Sequence, residues 1–547
     1  MTREATFGAT VREYTGTIPR LLEHAAQRDP AADWLRTDEL SLTFGEAAGR
    51  VGGIAAALAD TGIGHGDLVM LTARTTPPYL LSWLALASIG AVTVPVNPAS
   101  SPAEFAGLIG QVQPVAILTD PDLEPVITAA MAASGDGGRS VRSVINVERF
   151  LGEQSAPLDA ELPDAGVQPG DLAVLIPTSG TTGRSKLVMQ THRAYAMAGE
   201  GFPFWMGLGA QDRMMTSLPL FHINAPIYSV LGSLACGAGL VLLPRFSASG
   251  FLDAARRHGA TEFNAIGAML EILMRQPERP DDADNPLRLC YAGPAPDRER
   301  HLEIERRFGI EIVVGYAMSE SPYALIWAHG TRPYGTLGAI RQHPYLGTIN
   351  EAKVLAVDED ADSGPAAAAA AATVDGSREL GAGETGEILL RNPVITPGYL
   401  GMPVETAAVL TGDGWLRTGD LVTVNADGTY TFVGRRKEVL RRRGENLSPL
   451  EVEEVLDSHP AVLESAVVGV ESELTEEEIK AFVVPAPGAE LDLGELRDYV
   501  AERLTAFKVP RFWQVIDELP RTPTARLAKH RLPAGHQPGE FDAEAGQ

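Results

Sequence analysis

The stretch Ile176-Pro-Thr-Ser-Gly-Thr-Thr-Gly-Arg-Ser-Lys186 grows out of an apolar run, Leu172–Pro177, and ends on a lysine. The run has the length and apolar content of a buried strand. The small hydroxylated residues and glycines after it leave backbone N–H groups open, and a lysine six residues after Gly180 can reach a phosphate. The segment is not a Walker A loop, which sets Gly-Lys-Ser/Thr at fixed spacing, because Ser185 precedes the lysine here. Composition alone leaves two readings open, a flexible loop or a phosphate cradle.

On either side of this stretch, from about Thr17 to Pro244, helical periodicity alternates with short strands. Phe44–Ala59 reads as helix; Asp67–Leu71, Val115–Thr119 and Leu172–Pro177 read as strands. That alternation implies parallel sheets with crossover connections, an α/β fold. Two uncharged runs, Thr75–Ala103 and Ile223–Pro244, are long enough to test as membrane spans. The first contains a Pro-Pro pair and Gly90, and the second is broken by Gly237-Ala238-Gly239. Each reads as a buried helix, a glycine stop and a buried strand.

The chain has 547 residues, enough for three or four folding units. It is 45% hydrophobic and 21% charged, which excludes whole-chain disorder. Its net charge of −26 argues against nucleic acid or an anionic lipid surface as partner, so an anionic ligand needs a local cluster of donors. Two cysteines, Cys236 and Cys290, make no disulfide framework, and Met-Thr-Arg-Glu-Ala is not the start of a signal peptide; a cytoplasmic location is expected.

Residues Ala361–Leu380 hold seven consecutive alanines, Ala366–Ala372, and read as a mobile surface insertion. Glu384–Arg391 and Leu421–Phe432 form a turn-rich β region with Asp427-Gly428 as a hairpin turn. Past residue 434 comes a basic joint, then a helix capped at Ser448-Pro449 with Glu451, Glu453 and Glu454 near its start. Residues from about Lys437 to Leu532 read as a small α+β unit, and Pro533–Gln547 as a loose polar tail.

Further motifs follow the loop in order: Leu218-Pro-Leu-Phe-His222, Tyr291-Ala-Gly-Pro294, Gly315-Tyr-Ala-Met-Ser-Glu320, Gly414-Trp-Leu-Arg-Thr-Gly-Asp420, Gly434-Arg-Arg-Lys437 and Pro520-Arg-Thr-Pro-Thr-Ala-Arg526. Together with the loop they resemble, in order and spacing, the core motifs of the adenylate-forming superfamily: acyl-CoA ligases, luciferases and nonribosomal adenylation domains. The likeness runs from about Thr17 to Leu532 and is nearest to the acyl-CoA ligase branch.

The resemblance implies a large N-terminal adenylate-binding domain over residues 1–434, made of parallel sheets with helices plus a β-barrel-like subdomain. A hinge at 435–437 and a small mobile domain over 438–547 complete it. It implies nucleotide binding by Thr178, Ser179, Gly180, Thr181, Thr182, Gly183, Lys186, Gly293, Pro294, Gly315, Tyr316 and Ser319. Tyr316 would stack on adenine, Asp420 would accept from the ribose hydroxyls, and Arg435 would reach ribose or phosphate. Glu320 would take Mg²⁺, a cation that prefers hard oxygen ligands beside phosphates. His222 would gate the carboxylate pocket and Lys437 would be the pivot for domain rotation. Arg441, Arg442, Arg443 and Gly444, with Lys508, would form a cationic cluster for the phosphates of coenzyme A. Each of these residues also has a plain structural reading, as a core tyrosine, a core histidine or a solvated helix end.

The substrate is partly legible through the same resemblance. Amino-acid-activating members carry an aspartate just beyond the Phe of the fourth motif, and Phe221-His-Ile-Asn-Ala-Pro226 has none. The acid is therefore expected to lack an α-amino group. Ile223, Asn224, Ala292 and Ala317 would line its pocket, and small residues at 292, 315 and 317 suggest room for a bulky apolar body. No carrier-protein segment follows, so coenzyme A or a carrier supplied in trans is the expected acceptor.

Three positions depart from the family pattern. Leu187 and Ala317 stand where glycine is usual, and Ala525-Arg526 stands where the family has Gly-Lys. That lysine bridges carboxylate and α-phosphate during adenylation, and a planar guanidinium fits poorly between two oxygens. The chain has six lysines among 45 basic residues, and three of them, Lys186, Lys437 and Lys508, fall at motif positions. Arg526 is thus expected to weaken adenylation while leaving thioester formation from a supplied acyl-adenylate intact, with a separate adenylating enzyme as partner. The alternatives are an ordinary two-step ligase, a non-catalytic adenylate binder and, more distantly, a luciferase-like oxygenase.

Overall fold

Two apolar helices set the layering of the large N-terminal region. Phe44–Asp60 is closed by a capping box: Thr43 Oγ1 accepts from Glu46 N–H at 3.2 Å, and Glu46 Oε2 accepts from Thr43 N–H at 2.8 Å. Pro77–Ser88 is apolar on every side and buried from Pro78 to Ser88. Gly90, at φ 73°, ends it, and a strand follows. The second uncharged run does the same, with Gly237 at φ 78° before the strand Gly239–Leu242. Among the described residues no helix is long and apolar enough to cross a membrane.

The computed structural model describes residues 16–151, 160–178, 185–293, 298–328, 330–357, 378–436, 440–442, 445–471, 477–521, 527–533, 535 and 537–543. The alanine run lies outside them. Strands β1 (Asp33–Arg36) and β2 (Ser41–Thr43) belong to a sheet completed later in the chain. Strands β3 (Leu68–Thr72), β4 (Val92–Pro95), β5 (Ala116–Thr119), β6 (Ser143–Asn146), β7 (Leu172–Thr178) and β8 (Lys186–Thr191) form a six-stranded sheet ordered β6-β5-β3-β4-β7-β8. It is parallel except for the β7–β8 pair. Strand alternation divides its side chains: Val69, Leu71, Leu118, Val174 and Ile176 enter the main core, while Met70, Val94, Ile117, Leu175 and Leu187 build a second core on the other face.

The next strands are β9 (Arg213–Thr216), β10 (Gly239–Leu242), β11 (Glu262–Ile266), β12 (Leu289–Gly293), β13 (Glu311–Met318), β14 (Ser321–Ile326) and β15 (Ala339–Ile340). They join β1 and β2 in a nine-stranded sheet ordered β15-β14-β13-β12-β11-β9-β10-β1-β2. Then β16 (Glu351–Leu355), β17 (Thr385–Arg391), β18 (Leu416–Val424) and β19 (Tyr430–Arg435) pair in sequence as an antiparallel meander. The last strand turns back onto the chain before β15, with Leu337 N–H donating to the Tyr430 carbonyl at 2.7 Å and Tyr430 N–H to the Gly338 carbonyl at 3.1 Å, around one core that includes Leu325, Val354, Ile388 and Val422. The last turn of the meander uses Gly428 at φ 81°, with Asp427 Oδ1 accepting from Thr429 N–H at 3.0 Å.

A small α+β domain follows, with β20 (Leu440–Arg442) paired to β21 (Glu445–Leu447) and helix Pro449–Asp457. Strands β22 (Val462–Glu471), β23 (Glu477–Pro485), β24 (Phe512–Val515) and β25 (Phe541–Asp542) form its sheet over a separate core that includes Val452, Val467, Ile479 and Trp513. Ser448 caps the helix by position only, since its side chain makes no cap bond. The described part of the tail is held down: β25 pairs with β24, and the buried Lys480 ammonium bonds Glu540 and the Gly535 carbonyl. The small domain touches the large one where Arg275 Nη2 donates to the Leu463 carbonyl at 2.6 Å.

Candidate functional site

The β7–β8 hairpin places Thr178 opposite Lys186, and Thr178 Oγ1 donates to the Lys186 carbonyl at 3.3 Å. The glycine-rich segment joins these two ends; Ser179, Gly180, Thr181, Thr182 and Gly183 lie outside the described residues. The Lys186 ammonium sits 4.8 Å from the centre of the Tyr399 ring, and Tyr399 Oη donates to Glu320 Oε1 at 2.9 Å. Lysine, tyrosine and glutamate thus form one chain beside the loop. Burial and the Glu320 charge raise the Tyr399 phenol far above its usual range, so it remains a donor. Glu320 Oε2 meets no donor among the described residues. A single free carboxylate oxygen suits Mg²⁺, which takes one or two protein carboxylates and fills its octahedron with phosphate and water.

Glu320 is fixed by its backbone. Its carbonyl accepts from Thr396 N–H at 2.7 Å, and the preceding Ser319 carbonyl accepts from the buried Gln190 amide at 2.6 Å. Ala317 sits at a register shift between β13 and β14, where Tyr316 pairs with Leu325 and Met318 with Ser321. A second departure from the family pattern has a packing reason: Leu187 is fully buried in the second core, and its carbonyl accepts from Leu400 N–H.

At the other end, Asp420 and Arg435 face each other across β18 and β19. Arg435 Nε lies 3.2 Å from Asp420 Oδ1, and Tyr316 Oη donates to Asp420 Oδ2 at 2.5 Å. The Asp420 side chain is 3% exposed and that of Arg435 is 52% exposed, so the arginine can swing toward a ligand while the acid stays put. Desolvation, then the Asp420 charge, pushes the Tyr316 phenol well above its usual range.

Among the residues expected at the acyl pocket, His222 lies ring to ring with Phe221 at 4.7 Å, and the two line a small cavity with Val174, Tyr195 and Pro226. Ile223 packs at the edge of the main core. Asn224 Oδ1 accepts from the buried Asn264 amide at 2.7 Å. Residues Ala225–Leu231 then form a π-helical stretch, a geometry associated with functional sites. Ala292 is fully buried, and Gly293 must be glycine because a Cβ there would lie 2.7 Å from the Gly315 carbonyl oxygen. Gly315 opens no large space, since the Tyr291 ring lies where its Cβ would be, at 2.5 Å. Pro294 lies outside the described residues.

The cationic cluster expected for coenzyme A is only partly available. Arg442, 3% exposed, pairs with Glu478 at 2.7 Å and donates to the Val509 carbonyl, so it serves the small domain's core. Lys508 pairs with Glu451 at 2.5 Å. The Arg441 side chain, Arg443 and Gly444 lie outside the described residues, as do Lys437 and Arg526. Lys529, three residues beyond Arg526, is bound to Glu453 at 2.7 Å.

Sequence reasoning missed Gln190, Asn264, Thr396 and Tyr399, which hold the motif residues from outside the motifs. Only Tyr399 had any local signal, the Pro397-Gly398 turn before it.

Comparison with known proteins identifies the family of the chain. The family model described as AMP-binding enzyme matches residues 22–400, and the AMP-binding enzyme C-terminal domain matches 451–526. A sulfoacetate–CoA ligase of Cupriavidus necator is 31% identical over 534 residues, 96% of this chain and 98% of that protein. A crotonobetaine/carnitine–CoA ligase of Salmonella paratyphi B is 30% identical over 86% of this chain and 89% of its own. The o-succinylbenzoate coenzyme A synthetase of Bacillus subtilis, solved with ATP and magnesium ion, superposes with a TM-score of 0.78 at 27% identity, covering 94% of this chain and 98% of that one.

Proposed function

The chain belongs to the AMP-binding enzyme family and is an acid–thiol ligase of the acyl-CoA synthetase type, and from that premise we propose how it divides its reaction. It takes a carboxylic acid without an α-amino group through an acyl-adenylate to a coenzyme A thioester. Its own adenylation is weak, and it acts mainly on an acyl-adenylate supplied by another enzyme. The observation that carries the adenylate reading is the pair of fixed constellations, Lys186–Tyr399–Glu320 and Tyr316–Asp420–Arg435, at the two ends of one site.

Asp420 accepts from the ribose, Arg435 neutralises phosphate, and Lys186 with the loop N–H groups cradles the phosphates. Glu320 would hold Mg²⁺, which supplies charge neutralisation on the phosphates when bound. His222 closes the carboxylate pocket. The pocket is compact rather than bulky, because Tyr291 fills the space over Gly315. The hinge reading at 435–437, with Lys437 as pivot between residues 1–434 and 438–547, belongs to this proposal.

The support for weak adenylation is Arg526, together with the engagement of Lys529 by Glu453, which takes away the nearest substitute ammonium. The test is to incubate the full chain with coenzyme A and a panel of chemically made acyl-adenylates, in parallel with the same acids plus ATP. Thioester from adenylates but little from acids supports the split. Equal rates restore an ordinary two-step ligase.

A further inference from the structure

Arg341 follows β15 and is completely buried. Its backbone is pinned: N–H donates to the Ala324 carbonyl at 2.9 Å, and its own carbonyl accepts from Asn350 Nδ2 at 2.9 Å. The guanidinium lies among three buried tyrosines. Its carbon is 5.1 Å from the Tyr323 ring centre and 5.6 Å from that of Tyr228, and Nη2 is 3.5 Å from Tyr291 Oη. Ring faces stabilise the cation but accept none of its planar fork of hydrogens well. Nε and Nη1 are shielded from water and meet no acceptor among the described residues. No described carboxylate pairs with it; Glu200, whose charge is felt at Tyr323, is engaged by His343 at 3.2 Å. A buried arginine does not discharge, and an unpaired buried cation strongly destabilises a fold.

Two of the three tyrosines are close in sequence to residues expected to line the acyl pocket. Tyr228 lies on the π-helical stretch that follows His222 and Asn224. Tyr291 precedes Ala292 and Gly293, and its ring covers Gly315. Tyr228 Oη donates to the Pro322 carbonyl, two residues past Glu320, which keeps that ring in place. We propose that Arg341 is a specificity residue for a second, anionic group on the acid, a sulfonate or carboxylate at the far end of a short acyl chain. This rests on the acyl-adenylate reading above. The incoming anion supplies the acceptors that Nε and Nη1 lack, in the bidentate geometry a guanidinium favours. A methyl tail leaves those donors unpaired, and a cationic tail is repelled, so the site selects by rejection as well as by attraction.

The test uses the full chain and three hydrolysis-resistant acyl-sulfamoyl adenosines that differ only in the tail: sulfonate, carboxylate or methyl. Calorimetric titration should show one or both charged tails binding about 10- to 100-fold tighter than methyl. Which anionic arm is tighter separates sulfonate from carboxylate. In Arg341→Met the ratio should collapse toward one, and in Arg341→Lys part of it should return. Equal affinity for all three by the unmodified protein overturns the proposal, as does an undiminished ratio in Arg341→Met. Should that variant not fold, the unmodified protein's ratio decides alone. Binding of all three with no preference leaves the adenylate site standing and removes the anion subsite; binding of none removes both.

Discussion

Tyr316 donates its phenolic hydrogen to Oδ2 of Asp420 at 2.5 Å, tying β13 to β18 across 104 residues of chain. The bond fixes one oxygen of the carboxylate, with Arg435 beside the other. Asp420→Ala should weaken AMP binding by about 1.5–3 kcal/mol, the range for a hydrogen bond to a charged group. Tyr316→Phe should cost less, about 0.5–1.5 kcal/mol, because Arg435 still orients the acid. Calorimetry with AMP reads both; the opposite order would make the phenol the principal contact.

Glu320 has a different duty. An acyl-adenylate carries no pyrophosphate, so the carboxylate that would face the triphosphate's cation has no part in thioester formation. In the Arg526→Lys background, Glu320→Gln should abolish pyrophosphate exchange and leave thioester formation from a supplied adenylate near its unmodified rate. Equal loss of both activities would reject this division.

Leu187 turns a family glycine position into a core position. Its side chain is fully buried beside Leu175 and Val94. Leu187→Ala should lower unfolding stability by about 2–5 kcal/mol. Leu187→Gly, the residue usual in the family, should cost about 0.5–1 kcal/mol more through backbone entropy. Urea denaturation measures both, and a cost below about 1 kcal/mol would mean that the second core closes over the gap.

His192 begins the helix after β8, fully buried, with neither ring nitrogen bonded among the described residues. Burial lowers its pKa from 6.5 to about 4, against the opposing pull of Asp171. Between those values the unfolded chain binds a proton that the folded chain refuses. Stability is therefore fully present above pH 6.5 and is lost as pH falls toward 4, by up to about 3 kcal/mol. His192→Phe should flatten the denaturation midpoint across that window; an unchanged slope would show that other groups set it.

The fold was legible because its signals are local. Uncharged helices stopped by Gly90 and Gly237, and strands of four to seven residues, follow from periodicity and turn chemistry. Thr178, Lys186, Asp420 and Arg435 were singled out by motif resemblance, and the structure sets Thr178 opposite Lys186 and Asp420 opposite Arg435 on neighbouring strands. The supporting residues were not legible, because Gln190, Tyr399 and Asn264 act across sheets and sit in stretches that read as ordinary strand or loop. The burial of Arg442 was not legible for a related reason: a run of arginines looks solvated until Glu478, on another strand, is brought against it. Arg341 carried no signal, since a single arginine after a short strand gives no hint of burial.

Arg526 gives the strongest test of the split reaction. Residue 526 lies outside the described residues, but Arg521 is bridged to Leu527 and Lys529 is paired with Glu453. A register slip that would bring Lys529 into the place of residue 526 must break that pair, so Lys529→Ala should leave adenylation where it is. Arg526→Lys should behave differently. A compact ammonium fits between a carboxylate and a phosphate oxygen where the guanidinium fork does not. One well-placed donor of this kind is worth about 10²–10³ in rate, so pyrophosphate exchange should rise by at least about tenfold. Thioester formation from a supplied adenylate should stay unchanged, because the reading places residue 526 in the site only during adenylation. Robust exchange by the unmodified protein, or a rise in both half-reactions together, would show that Arg526 does not separate them.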